Sequence, residues 1–394
     1  MGRQVANLRV GVQATRREDE PKLPTNLVFL VDTSGSMASG DKLPLAQLVL
    51  RQTLAHLDPT DTVSIVSYAG DVAVRLEPTP ANDPARIIRA IEGLTSGGAT
   101  NGASGIGLAY DQAEAGFIEG GFNHVILCTD GDFNIGISDS DALVALIEEK
   151  RETGVTLTAL GFGTGNLNDA MMERVTNAGN GVYSVLSSEA QATRYAAERI
   201  LQTAQHVAKD MKIQVEFNPE HVVAYRLLGY ENRALEDWEF RDDTVDAGEI
   251  GAGHRVTALY EIVLAGQSVP RGAGHPAMLD GDPVDGAREI DASEFVRVKV
   301  RWKDVGATTE DPAHELTSSL LPEDVTSSIE DADADLLWAS SIVAFAEILK
   351  GSPFANQMDL PRIQQLISAQ AGRDADRAAF VDHFIAARAL LDAR

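Results

Sequence analysis

The sequence holds a single cysteine in 394 residues, Cys128, so no intrachain disulfide can form. That thiol lies in the apolar run Val125-Ile126-Leu127-Cys128, where a buried and unreactive side chain is expected. Basic residues are scarce. There are 33 Lys and Arg against 59 Asp and Glu, a formal net charge of −26. A chain of that sign repels phosphate backbones and anionic lipid, so no direct nucleic-acid contact is expected. No run of roughly 18 apolar residues exists, so no direct membrane insertion by a helix is expected. The first residues, MGRQVANLRVGVQATRRE, lack the apolar core of a signal peptide. Three motifs are also missing: G-x-x-x-x-G-K-S/T of the nucleotide-binding P-loop, the G-x-S-x-G nucleophile elbow and H-E-x-x-H of zinc proteases.

Apolar residues are plentiful, at 44%, enough for more than one core. The alternating segment Leu8–Val12 predicts a strand, and the polar stretch RREDEPKLPTN after it a linker. Between Asn26 and about Gln205 short apolar runs alternate with helical stretches. Strands are predicted at Leu27–Val31, Val63–Tyr68, Val72–Leu76, His124–Thr129, Thr156–Gly161 and Val182–Val185. Helices are predicted at Lys42–His56, Pro84–Gly93, Ala103–Phe117, Asp139–Glu152, Asn168–Ala178 and Glu189–Gln205. This alternation implies an α/β, Rossmann-like fold, with a mostly parallel central sheet and helices on both faces. In the third helix Ile106, Tyr110, Ala113 and Phe117 form the expected buried stripe.

From about Val207 strands follow one another without helices, at Ile213–Phe217, Val222–Tyr230, Val256–Leu264 and Phe295–Trp302. They predict an accessory antiparallel β domain that the N-terminal strand joins. The stretch Gln267–Asp291 is expected to be a loop. C-terminal helices follow, the first with Trp338, Ile342, Phe345 and Leu349 on one stripe and Gly351 and Pro353 at its end. Two more are placed near Asp359–Ala371 and Asp374–Leu391. The expected organisation is residues 1–25 as strand and linker, 26–205 as the α/β domain, 206–305 as the β domain and 306–394 as linker and helical segment.

The chemistry concentrates where the first α/β strand ends. Leu27–Val31 runs into Asp32-Thr33-Ser34-Gly35-Ser36, and ligands of open α/β sheets bind beyond the carboxyl ends of the strands. Residues at i, i+2 and i+4 of an extended segment point the same way, and Gly35 lets the chain curl so that the side chains converge. Two further segments bring oxygen donors toward the same edge. Gly97-Gly98-Ala99-Thr100-Asn101 offers the Thr100 hydroxyl, and Leu127-Cys128-Thr129-Asp130 is an apolar strand that ends in an acid. Singly, Asp, Ser and Gly after a strand are ordinary turn residues. Together, an all-oxygen set suits a hard cation, Mg²⁺ foremost, with Mn²⁺ or Ca²⁺ as alternatives.

On these residues the sequence resembles the von Willebrand factor type A (vWA) family. Asp32-x-Ser34-x-Ser36 matches its first metal motif, Thr100 its second-loop threonine and Asp130 its distal aspartate. The strings VDTSGSM, GGATNGASGIGLAY and TDGDFNIG resemble one bacterial subgroup. The tail from KVRWKD through FAEILKGSPF is similar to that subgroup's C-terminal extension of strands and helices. The resemblance implies that Ser34, Ser36 and at times Thr100 bind the metal directly, while Asp32 and Asp130 act through water. Asp132 is a candidate for the surrounding shell. Members of the subgroup often start with an export or lipoprotein signal. An extracytoplasmic or cell-envelope location is therefore expected if such a leader precedes this sequence in the natural protein, and a cytoplasmic one otherwise.

The function implied is a metal-ion-dependent adhesion site, in which the metal binds an Asp or Glu carboxylate of a protein partner. No catalytic residue is assigned and no enzyme is expected. The alternatives are an adaptor for a separate ATPase, a structural protein of the cell envelope, and, less favoured, a metal-dependent hydrolase, for which Asp132 is the only evident base. The sequence names neither the partner nor the oligomeric state.

Overall fold

The computed structural model describes residues 5–14, 23–98, 102–131, 140–163, 165, 167–200, 206–229, 237–242, 250–269, 290–305, 307–308 and 310–393. The chain divides into two units, one of residues 14–209 and 248–254, the other of 1–13, 210–247 and 255–394. The first strand, β1 (Val5–Gln13), belongs to the second of these.

The α/β unit is built on β2 (Thr25–Asp32), β3 (Thr62–Tyr68), β4 (Val72–Pro80), β5 (Phe122–Thr129), β6 (Val155–Phe162) and β7 (Tyr183–Leu186). They form one sheet in the order β4-β3-β2-β5-β6-β7. All pairings are parallel except β3 with the edge strand β4. Its helices are α1 (Leu43–Leu54), α2 (Pro84–Glu92), α3 (Gly102–Ala115), α4 (Ser140–Arg151), α5 (Asp169–Ala178) and α6 (Glu189–Arg194), which runs on as a π-turn over Tyr195–Arg199. This is the Rossmann-like arrangement that the strand–helix alternation implies.

The central strand shows why the sequence folds this way. Every residue of β2 is buried, as a parallel strand covered on both faces requires. Successive side chains leave by opposite faces. Leu27, Phe29 and Val31 pack with residues of α1, α2 and the α6 segment, whereas Val28 and Leu30 pack with α3, α4 and α5. Such fully buried side chains each contribute roughly 1.5–3 kcal/mol. Local signals set the helix starts: Asp83, Asn168 and Ser188 each accept a backbone N–H of the first turn of α2, α5 and α6. Two sequence expectations need correction. Phe117 lies beyond the end of α3 and is 43% exposed, so only Ile106, Tyr110 and Ala113 of its stripe are core. The strand expected at Val72–Leu76 runs on to Pro80.

The second unit holds two antiparallel sheets. Its strands are β8 (His206–Phe217), β9 (Val222–Leu228), β11 (Arg255–Leu264), β12 (Val296–Lys303) and β13 (His314–Leu320); the two-residue β10 (Ile250–Gly251) pairs with the start of β8. The sheet orders are β1-β11-β9 and β10-β8-β12-β13. β1 joins in register, with Leu8 opposite Tyr260 and Val10 opposite Ala258. Leu8, Val10, Ile262, Phe217 and Val296 from the two sheets share one core.

β13 is a strand that the sequence pattern conceals. All its residues are exposed, so it carries no apolar alternation and exists through its pairing with β12. Three helices follow: α7 (Ala334–Lys350), α8 (Leu360–Ser368) and α9 (Ala375–Asp392). Phe345, Ile348, Ile363, Ile367 and Phe384 form their common core. Ile348 takes the place expected of Leu349, which is 55% exposed. Gly351, at φ 72°, closes α7 in the left-handed conformation that glycine adopts without cost. Most of the loop expected over Gln267–Asp291 lies outside the described residues.

Candidate metal centre

Four of the five predicted ligands, Asp32, Ser34, Ser36 and Asp130, gather where β2 and β5 end. These strands are parallel neighbours, with Val31 opposite Cys128, so the register brings both chain exits to one crest. Asp32 is fully buried, and its Oδ1 accepts the Ser34 backbone N–H at 2.8 Å. Its Oδ2 accepts the Thr129 hydroxyl at 3.3 Å. The chain then turns through one 3₁₀ turn, Gly35–Ala38, anchored by the buried Met37. That turn brings the hydroxyls of Ser34 and Ser36 within 2.9 Å of each other. Ser34 is buried and Ser36 exposed, so the hydroxyl pair runs from the interior to the surface.

Thr100 and Asp132 lie outside the described residues. The residues that lead to Thr100 are fixed beside the site. Gly97 donates to the Thr33 carbonyl at 2.8 Å, and the Gly98 carbonyl accepts from Gly35 at 3.2 Å. Gly98 sits at φ 89° with the Gly70 nitrogen 3.1 Å from where a Cβ would stand, so both conformation and space call for glycine.

Burial pushes the Asp32 carboxyl above the usual carboxylate range, and the negative charge of Asp130 adds to the effect. The Ser34 N–H and the Ser34 and Thr129 hydroxyls work in the opposite direction without cancelling it. Beside Asp32 lies Tyr68, the last residue of β3. Burial first, and then the charge of Asp32, push its phenol well above the ordinary value. Asp130 is itself only 3% exposed and receives the Lys42 ammonium at 2.8 Å. Lys42, Tyr68 and Thr129 are members of the site that sequence reasoning missed. Tyr68 and Thr129 read as ordinary strand residues, and Lys42 stands outside the D-x-S-x-S spacing.

The donor set fits a hard divalent cation. It consists of two carboxylates with little solvent, destabilised by burial and by one another, and two convergent hydroxyls, all oxygen. Among the described residues no three His, Cys, Asp or Glu side chains form a metal-ligating cluster. In the candidate set hydroxyls supply the donors that further carboxylates would otherwise provide.

The comparison with known proteins agrees with this arrangement. The model of the von Willebrand factor type A domain matches residues 26–209. Residues 26–209 are a vWA domain. Residues 202–390 match the C-terminal region of the uncharacterized protein YfbK. YfbK of Escherichia coli K12 is 37% identical over 367 residues, 93% of this chain and 62% of the relative. The chain thus spans less than two thirds of that protein's length. The uncharacterized protein sll0103 of Synechocystis is 28% identical over 185 residues, 47% of this chain and 43% of its own length. A solved von Willebrand factor type A structure from Catenulispora acidiphila superposes with a TM-score of 0.49 at 17% identity, over 96% of this chain and 83% of that one. The vWA domain is a general module of protein interaction and adhesion.

The lone thiol of the vWA domain takes no part in the site. Cys128 is fully buried in β5, and burial raises its pKa far above the ordinary thiol value, which keeps it protonated and unreactive.

Proposed function

We propose that the vWA domain is a Mg²⁺-dependent protein-binding module that recognises an Asp or Glu carboxylate of its partner. The observation that carries this is the hydroxyl pair of Ser34 and Ser36, 2.9 Å apart, next to the buried Asp32. Asp32, Ser34, Ser36 and Asp130 would hold the ion, with Thr100 as a further ligand. Mg²⁺ is the ion favoured, and Mn²⁺ and Ca²⁺ suit the same oxygens. Bound there, the ion supplies a strong electrophile for an incoming carboxylate. Ser36, at the exposed end of the hydroxyl pair, faces the side from which a partner arrives.

Charge arithmetic supports this reading. Two carboxylates and neutral hydroxyls leave a divalent ion without excess anionic ligands, so a third carboxylate is attracted. The net charge of −26 repels acidic proteins at long range, so the recognised acid stands on a neutral or basic partner. The function is non-catalytic: the site's carboxylates are engaged, Asp130 by Lys42 and Asp32 by Ser34 and Thr129, so neither is free to act as a general base.

A peptide array in which each peptide carries one Asp or Glu tests the proposal. Retention of a subset is expected in Mg²⁺. It is expected to vanish in EDTA, on replacement of the acid by Asn or Gln, and with the Ser34→Ala chain. Retention that is indifferent to chelator and to Ser34→Ala would sink the proposal.

A further inference from the structure

Lys42 has no role in the donor set, yet it touches two of its three segments. Its ammonium donates to the Asp130 carboxylate at 2.8 Å and to the backbone carbonyl of Ser36 at 3.0 Å. The side chain is 21% exposed, so the charge is largely withdrawn from solvent. Its position is unfavourable for the helix it precedes. Lys42 is the residue before the first turn of α1, where the helix dipole disfavours a cation. The carboxylate of Asp130 is the compensating partner.

The fold makes room for this lysine. Gly163 follows β6 directly, with φ 85°. A Cβ there would stand 2.8 Å from Cε and 3.2 Å from Cγ of Lys42. The aliphatic stem therefore lies in a slot that glycine at 163 leaves open. The ammonium is aimed from there at the crest of the sheet.

We propose that Lys42 is a tethered counter-cation that competes with the divalent ion for Asp130 and so sets the metal affinity of the site. The inference rests on the metal-binding reading above. With the ion absent, the ammonium balances a carboxylate that would otherwise be buried without a partner. With the ion present, two cations share one carboxylate and repel each other across a short, poorly solvated distance. The site then fills only when divalent ion is abundant, and affinity is given up for a stable metal-free form.

The test is calorimetric titration of the full chain with MnCl₂ and with MgCl₂. Native protein, Lys42→Met and Lys42→Arg are compared, with thermal melting of each in EDTA and in metal. Met keeps the stem and removes the charge; Arg keeps the charge. Lys42→Met is expected to bind about tenfold tighter or more, a gain of about 1.4 kcal/mol, while Lys42→Arg stays near native. In EDTA, Lys42→Met is expected to melt below native protein, and added metal is expected to close the gap. Equal or weaker binding by a folded Lys42→Met overturns the inference and leaves the metal site standing. Absence of uptake by both native protein and Lys42→Met overturns the metal reading and this inference together. If Lys42→Met does not fold, Lys42→Gln carries the same expectation and the same refutation.

Discussion

Replacing Asp32 by Asn separates metal binding from folding. The amide keeps the shape of the buried carboxylate. Its oxygen can still accept the Ser34 N–H, now 2.8 Å from Oδ1, and its NH₂ can donate to the Thr129 hydroxyl, which turns to accept. A charge-assisted bond becomes a neutral one, a loss of about 1 kcal/mol. Against this, the buried negative charge and its repulsion by Asp130 disappear, the two effects that raise the Asp32 pKa. Stability in EDTA is therefore expected to change by less than about 1.5 kcal/mol. Metal affinity loses one of two negative charges, and the loss of such a carboxylate costs about 10–100-fold. An ion at a hundred times the native Kd stabilises the domain by about 2.7 kcal/mol; after a hundredfold loss the same concentration contributes about 0.4 kcal/mol. Cys128 provides the assay, because it is the chain's only thiol and is buried in the vWA domain. Thiol labelling through a urea series, with and without Mg²⁺, reports opening of that domain alone. The tryptophans, Trp238, Trp302 and Trp338, all lie outside residues 26–209 and report the other unit. Equal stabilisation of native protein and Asp32→Asn by Mg²⁺ would refute the argument, as would a loss in EDTA larger than about 3 kcal/mol.

Gly181→Ala is expected to destabilise the vWA domain by about 3 kcal/mol or more, because its Cβ would lie 1.8 Å from the Leu157 carbonyl oxygen of β6; unchanged urea dependence of Cys128 labelling would contradict this. In the second unit, Arg226 of β9 bonds Glu261 of β11 at 2.5 Å and Glu347 of α7 at 2.9 Å. Burial alone would raise the pKa of Glu347, but the Ser352 hydroxyl and the Arg226 guanidinium outweigh it and hold the carboxyl below its usual range. The stability this contributes is present above the ordinary value of 4.5 and is lost as pH falls through the lower folded value. Arg226→Met should therefore cost about 3 kcal/mol near neutral pH by tryptophan fluorescence, and flatten the acid limb of the stability curve. An acid limb identical to native would show that the pair contributes nothing.

The vWA half was legible because its signals are local. The run Leu27–Val31 is apolar throughout, and a strand buried on both faces demands that. Asp32, Ser34 and Ser36 follow it at a spacing that convergence requires, and Asp130 ends a second such run. Other features carried no local signal. β13 is polar along its whole length, and only its partner β12 makes it a strand. Leu349 and Ile348 are adjacent and equally apolar, so periodicity could not decide which one faces α8 and α9; packing chose Ile348.

Residue type and order alone determined that strands would alternate with helices, that the chain would be acidic, and that oxygen donors would cluster at strand ends. These are consequences of covalent spacing and hydrophobic period, which are written along the chain. Tertiary structure alone decided that Lys42 meets Asp130 and that Gly163 makes room for it. It alone placed Thr129 against Asp32, across the β2–β5 register. Those contacts join residues far apart in sequence, and their energies depend on distance and burial, which exist only once the sheet has closed.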